Sequence, residues 1–419
     1  MISKLYYGPL AHCGAACTRG RPDGSPSHPE AGNHYGARGE AGWGQVGATL
    51  RSRMSSDSVS TATRRKMARS VLTKNLGVKK GEQVVVEAWS HTLPWAVAFA
   101  HEAREIGAQV MVPFEDEESY WELVDGGETA VIGKVPKHEF AALAKTDVYI
   151  HMWGPHDRIR VSQLPPKKFE QLIAWNEPWY KVADQAGVRG ARLDIGRPTP
   201  GLSKLYAVDE SEWTDQLVRA SMVSPESIAK TAAPLVKALS KGKQVHITDD
   251  HGTDLTLGLA RRPVRCSIGR KTPEDAKWPY SSLVNVPAGL LRVALDEHVA
   301  DGTLVANRTN YADDAFATGG VLEFRKGRLT SAKFATGQSL WDDGYKTGGK
   351  GRDQPGLLGI GLNPALHNTP QLEDAELGAI LVSTGGNAQL KGKNKSPFFG
   401  FAISAGATLV VDGKEIPIR

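Results

Sequence analysis

Three apolar runs near the C-terminus, residues 357–362, 378–383 and 398–403, are divided from one another by clusters of Gly, Pro and Asn. Runs this short, bounded by turn residues, read as strands, and their succession makes them neighbours in one sheet. Side chains alternate along a strand, so Leu381 and Ser383 share a face of the second, and Phe399 and Phe401 share a face of the third. Such a sheet is expected to line a site, and the rest of the chain has to supply its walls.

Upstream, strand and helix patterns alternate. Residues 60–75 place Met67, Val71 and Leu72 on one helical side and stop at Gly77. Residues 83–88 and 109–113 read as strands on either side of a helix at 93–105 that stops at Gly107, and a helix at 138–145 precedes a strand at 147–152. Strand, helix, strand in repetition implies a parallel layer with right-handed crossovers. Neither GxGxxG nor GxxxxGK[ST] follows these strands, so the layer is expected to wall a cleft rather than to cradle a nucleotide. Trp175, Trp179 and Tyr180 read as core of this layer. A helical stretch at 211–239, broken near Pro225, bridges to a different pattern: hairpins at 244–248 with 254–259, 321–324 with 328–334, and 407–411 with 415–418, and a helix near 338–345. The fold class expected is an α/β N-terminal domain with a parallel sheet, residues 54–240, joined to a mainly antiparallel β (α+β) domain, residues 241–419.

The first 53 residues stand apart. Ten Gly and four Pro fall in the first fifty, aliphatic residues are few, and no period is visible, so this leader reads as disordered, or as translated upstream sequence ahead of a start at Met54. Of the net charge of +5, from 51 basic and 46 acidic residues, the leader supplies +3. The +2 left for the remainder argues against a nucleic-acid partner. No apolar run is long enough to span a membrane. Cys13, Cys17 and Cys266 build no disulfide framework, which suits a reducing, cytoplasmic setting.

Polar clusters offer candidate chemistry at two places besides the C-terminal strands. His151 and His156 bracket a strand end, where α/β folds present functional groups, and read either as ligands or acid/base groups or as solvated loop histidines. Asp249, Asp250, His251 and Asp254 have metal-site composition, but a hairpin turn uses Asp and Gly for backbone reasons.

The LGVKKGEQVVV entry, the GTDLTL hairpin, the NVPAG loop, the ADGTL turn and the GIGLNP strand end together resemble the thermophilic aminopeptidase family, metallopeptidases typified by aminopeptidases T and S. The same fold serves the iron-dependent 2,5-dihydroxypyridine dioxygenase, to which the STG-x-N run and the K-x-K-[ST]-P after it are similar. The resemblance implies a homodimer and metal ligands at five positions that here hold Leu290, Leu357, Leu381, Phe399 and Phe401. Leu and Phe offer a metal no donor, so the expectation is that the site carries no metal and needs no cofactor. The polar residues left beside it are Arg292, Asp296, Glu297, His298, Asp301, Ser383 and Asn387.

The reading that follows is an aminopeptidase-family homologue acting hydrolytically, or by general acid/base chemistry, on a small aromatic or N-heterocyclic compound. Ser383, Arg292 and Glu297 are its candidate catalytic residues, and Leu290, Leu357, Leu381, Phe399 and Phe401 its substrate-binding surface. Lys391, Lys393 and Lys395 read as a solvated rim. Two alternatives stay open: a catalytically inactive homologue that binds a small molecule or a partner, and a metallo-aminopeptidase whose ligands are displaced to His367, Glu373, Asp374 and Glu376.

Overall fold

A computed structural model describes residues 59–127, 131–275, 278 and 280–418. The leader and Met54 lie outside the described residues. Helix α1, Thr61–Ser70, starts where the Ser60 hydroxyl accepts from the Thr63 N–H, buries Met67 and Ala68, and runs into a π turn at Val71–Asn75. Strand β1, Gln83–Val86, is followed by helix α2, Leu93–Ile106, which has Pro94 in its first turn and closes on Gly107 at φ 93°. That left-handed conformation costs glycine nothing, which is why the helix stops there. Strands β2, Gln109–Met111, β3, Val148–Met152, and β4, Arg189–Leu193, are the first half's other members of its main sheet, and the two-residue strands Ala88–Trp89 and Phe114–Glu115 pair apart from it. All five residues of β3 are buried, as befits a parallel strand covered on both faces.

Helices Glu210–Ser221 and Pro225–Lys241 carry the chain across, capped by Asp209 and Ser224 and divided ahead of Pro225 as its fixed φ requires. The hairpin of β5, Gln244–Thr248, and β6, Asp254–Leu259, then leads to the short β7, Arg265–Ser267. Strand β8, Leu283–Val286, returns to the first sheet, which has the order β8-β4-β3-β1-β2 with every pair parallel. A strand from beyond residue 240 thus extends the parallel layer.

The second sheet is built on β9, Leu290–Val305, which pairs antiparallel with β6, β7, β10 (Val321–Arg325) and β12 (Pro355–Gly361). Strand β11, Arg328–Lys333, closes a hairpin with β10. Beyond β12 come β13, Ala379–Gly385, and the edge strand β14, Phe399–Ala405, each antiparallel to the last; β15, Thr408–Val411, pairs with β5 at the other end. The three C-terminal runs are therefore consecutive neighbours, as their sequence requires.

The two faces of this sheet differ. Leu291, Val293, Leu295, Leu358, Ile360, Ile380, Val382 and Ala402 turn inward onto Ile228, Leu235 and Leu239 of the long helix and form the main core of the C-terminal half. Their alternates, among them the candidate site residues, occupy the opposite face. No helix among the described residues is long and apolar enough to cross a membrane.

Candidate functional site

Register fixes which side chains meet on that opposite face. Arg292 of β9 lies beside Gly359 of β12, Gly359 beside Leu381 of β13, and Leu381 beside Ile403 of β14. One step along, Ala294 is beside Leu357, and Ser383 beside Phe401. Leu290, Leu357, Leu381, Phe399 and Phe401 therefore share one face, as alternation along each strand demands. Phe399 and Phe401 are half-buried, with ring centroids 5.8 Å apart. Leu357 and Leu381 are buried, and Leu290 packs against the cluster of Ala220, Leu366 and Ala375. Gly359 lets the neighbouring side chains close over the strand: a methyl group there would lie 3.1 Å from Leu381 Cβ and 3.8 Å from Leu290 Cδ1.

Residues outside the sequence expectation join this face. Arg265 of β7 is registered directly beside Arg292, and Trp278 packs with Leu357, Leu390 and Phe399. The guanidinium of Arg265 and the ammonium of Lys391 approach the Trp278 ring at 5.5 Å and 5.6 Å. A three-residue strand and a lone tryptophan carry no periodic signal, so sequence reasoning had nothing to find them by. Burial lowers the pKa of both Arg265 and Arg292, opposed by Asp275 for the first and Asp374 for the second. Arg292 Nη2 donates to Asp374 at 3.1 Å, and its buried Nε has no acceptor among the described residues.

Ser383 and Glu297 occupy the positions expected but have other engagements. The Ser383 side chain is fully buried, and its Oγ accepts from the Leu357 N–H at 2.8 Å, tying β13 to the irregular start of β12. Glu297 sits at the break in pairing between Leu295 and Ala300 of β9. Its two oxygens take a bidentate grip from Arg262 at 2.8 and 2.6 Å, and Oε1 also accepts from Asn387 Nδ2 at 2.9 Å and the Lys393 N–H at 2.7 Å. Burial alone would raise the Glu297 pKa, but these donors overcome it and hold the carboxyl at about 2. Neither group is presented to a ligand. Of the expected trio Arg292 alone keeps a buried donor, its Nε, without an acceptor among the described residues, while Asp374 holds its Nη2.

The other candidate clusters are drawn into local structure. Asp249 Oδ1 accepts from the His251 and Thr253 N–H groups, as a turn aspartate does, and Oδ2 from the Ser404 hydroxyl. Glu376 is clamped by Arg308 at 2.8 and 2.6 Å, with His367 Nδ1 at 3.2 Å; Asp374 holds Arg292; Glu373 accepts from the Tyr311 N–H. Burial, with Asp374 alongside, pushes the Glu373 carboxyl well above the usual range. His151 is buried on β3 with Nδ1 3.3 Å from Glu87, while His156 lies beyond the strand against the ring of His91.

A family model for the thermophilic metalloproteases (M29) matches residues 61–348. The chain belongs to that family. Two solved structures share the fold. Wild-type AmpT from Thermus thermophilus is 18% identical with a TM-score of 0.62, over 85% of this chain and 98% of that one. 2,5-Dihydroxypyridine dioxygenase from Pseudomonas putida KT2440 is 19% identical with a TM-score of 0.54, over 86% of this chain and 97% of that one. Among curated proteins none matches. The metalloprotease-family match ends ahead of β12, β13 and β14, the strands that bear Leu357, Leu381, Phe399 and Phe401.

The family name implies a metal, and the side chains on this face do not fit one. A divalent cation takes oxygen, nitrogen or thiolate donors, and hydrocarbon occupies the positions at issue. Among the described residues no group of three or more His, Cys, Asp or Glu is placed to hold a metal ion, the set at residues 367–376 included.

Proposed function

We propose that this metalloprotease-family member uses the outer face of its antiparallel sheet to bind a small aromatic or N-heterocyclic compound. The observation that carries the reading is the common face of Phe399, Phe401, Leu381, Leu357 and Leu290 around Gly359, with Arg292 and Arg265 at its edge. Rings and aliphatic side chains offer a flat ligand dispersion contact and desolvation, and a guanidinium row offers its polar substituent a partner. The polar assignment is narrower than composition suggests. Ser383 and Glu297 hold the strands that shape the face, so the form of the hypothesis best supported is ligand binding with Arg292 as the polar anchor. Hydrolysis of the bound compound is the second reading, for which Glu373, its carboxyl pKa raised by burial and by Asp374 alongside, is the candidate acid.

The test is thermal stabilisation of the full-length protein by monocyclic phenols and pyridines, followed by product analysis for any compound that binds. Gly359→Ala adds one methyl group to this face at a 3.1 Å contact with Leu381 Cβ, and its three nearest contacts are apolar. It should abolish the response while costing about 1 to 3 kcal/mol of stability through overpacking, so binding is compared on folded protein. An undiminished response in Gly359→Ala would move the ligand off this face. Turnover of a bound compound would decide for hydrolysis.

A further inference from the structure

On the parallel sheet, one face changes character in a single step. Val85, Tyr149 and Leu283 form an apolar row under Trp175, Trp179 and Tyr180. Two residues further along each strand, at the carboxyl ends, the same face carries Glu87, His151, Arg192 and Asn285; His151 is registered on Arg192 and Arg192 on Asn285. The carboxyl ends of parallel strands are where open α/β sheets bind ligands.

Arg192 is the anomaly in this row. It is 5% exposed, it forms no ion pair with a described residue, and its Nη2 donates to the Tyr180 hydroxyl, a neutral partner. Its Nε is buried with no acceptor among the described residues. The Trp153 ring lies 5.4 Å from the guanidinium carbon. A buried cation without a counter-ion is among the more costly arrangements a fold retains, and a phenol and an indole face recover only part of that cost. Glu87 does not serve as the missing partner, since its Oε2 receives the Tyr149 hydroxyl at 2.7 Å and lies 3.3 Å from His151 Nδ1. Asn285, registered on the far side of Arg192, is half-buried.

We infer that Arg192 and Asn285 form a binding site for a small carboxylate at the carboxyl edge of the parallel sheet. The planar guanidinium supplies paired N–H donors to the two carboxylate oxygens, and the Asn285 amide supplies a third. This site is on the parallel layer and does not depend on the aromatic face of the second sheet.

The experiment is acetate titration of the full-length protein, followed by thermal unfolding and calorimetry, with chloride at matched ionic strength as control. Acetate should raise the melting temperature saturably and chloride should not. Asn285→Asp places a covalent carboxylate next to Arg192. It should melt higher than the parent without acetate and bind acetate at least tenfold more weakly. Arg192→Gln should lose the response, and because that variant is liable to misfold, Asn285→Asp is the deciding one. Phe401→Ala should keep the acetate response whatever it does to phenol binding, which separates this site from the aromatic face. A parent protein with no saturable acetate response, or an Asn285→Asp variant that binds acetate as the parent does, overturns the inference.

Discussion

Glu297 shows how an acidic residue that stands out in a motif can have a structural task. Its acidic position in β9 is visible in the motif around ADGTL, but its partners, Arg262, Asn387 and Lys393, come from two other segments and become evident only when the chain folds. The pKa of its carboxyl falls from 4.5 to about 2 on folding. A lowered pKa means that the interaction stabilises fully above about pH 4.5 and is lost as pH falls toward 2. Linkage puts the contribution at about 3 kcal/mol. Glu297→Gln should therefore cost about 3 to 5 kcal/mol at neutral pH, since Arg262 is left buried without its charge. The gap between parent and variant should close on acidification through that window, followed by denaturant melts from pH 7 to pH 2. A gap that stays constant would show that the pair is not ionised as described. Ser383→Ala removes the acceptor of the Leu357 N–H and should cost about 1 to 3 kcal/mol with no void to collapse.

Strands β12, β13 and β14 were legible because each is a short apolar run between turn residues, and their alternation gives the shared face without knowledge of the third dimension. The parallel layer was legible only in its first half. Strand β4, with Arg189 and Arg192 in five residues, lacks the apolar signature, and β8 lies beyond the stretch of repeated strand and helix. Burial of an arginine within a strand is a tertiary decision, made here by the Tyr180 hydroxyl and the Trp153 ring, and it overrides the pattern. The aromatic pair on β14 can be tested as part of its strand. Phe399→Ala and Phe401→Ala each remove a half-buried ring from an edge strand and should cost about 1 to 3 kcal/mol, below the range for a fully buried Phe. Both should abolish phenol or pyridine binding, measured by calorimetry on variants still folded at the assay temperature. The double change Phe399→His with Phe401→Asp puts polar groups against Leu357 and Leu381 and should destabilise in the absence of metal. Recovery of stability on adding zinc would show that this face accepts a donor set after all.

The two halves are joined by buried polar contacts as well as by the chain. Arg158, from the parallel half, donates to Asp313 at 2.8 Å, and Tyr206 receives Gln371 Nε2 at 2.7 Å. The most enclosed of these links is Asn363, just past the end of β12, with no solvent exposure. Its Nδ2 donates to the Ala220 carbonyl, near the end of the helix Glu210–Ser221, at 3.1 Å and to the Ala288 carbonyl, between β8 and β9, at 2.7 Å; its Oδ1 accepts from the Ala365 N–H. Gly289 packs on it so closely that a Cβ there would come within 2.8 Å, which together with its φ of 124° explains the glycine of the NVPAG loop. Asn363→Ala leaves the Ala288 carbonyl and the Ala365 N–H without the Asn363 amide, in a site too enclosed for water to replace it, while the Ala220 carbonyl keeps the Val223 N–H at 3.3 Å. The expected cost is about 2 to 4 kcal/mol, the penalty of leaving buried polar groups unpaired. Because the lost bonds connect elements of both sheets, the variant should also unfold less cooperatively. The measurement is urea unfolding followed by tryptophan fluorescence and by far-ultraviolet circular dichroism. Of the described tryptophans Trp89, Trp95, Trp121, Trp153, Trp175, Trp179 and Trp213 lie in the parallel half and only Trp278 and Trp341 in the other, so fluorescence weights the parallel half, whereas circular dichroism averages over both. Coincident curves in the parent that separate in Asn363→Ala would place the coupling of the halves at this amide; curves that remain coincident at a lower midpoint would mean that the Arg158 and Tyr206 contacts suffice to keep the molecule one cooperative unit.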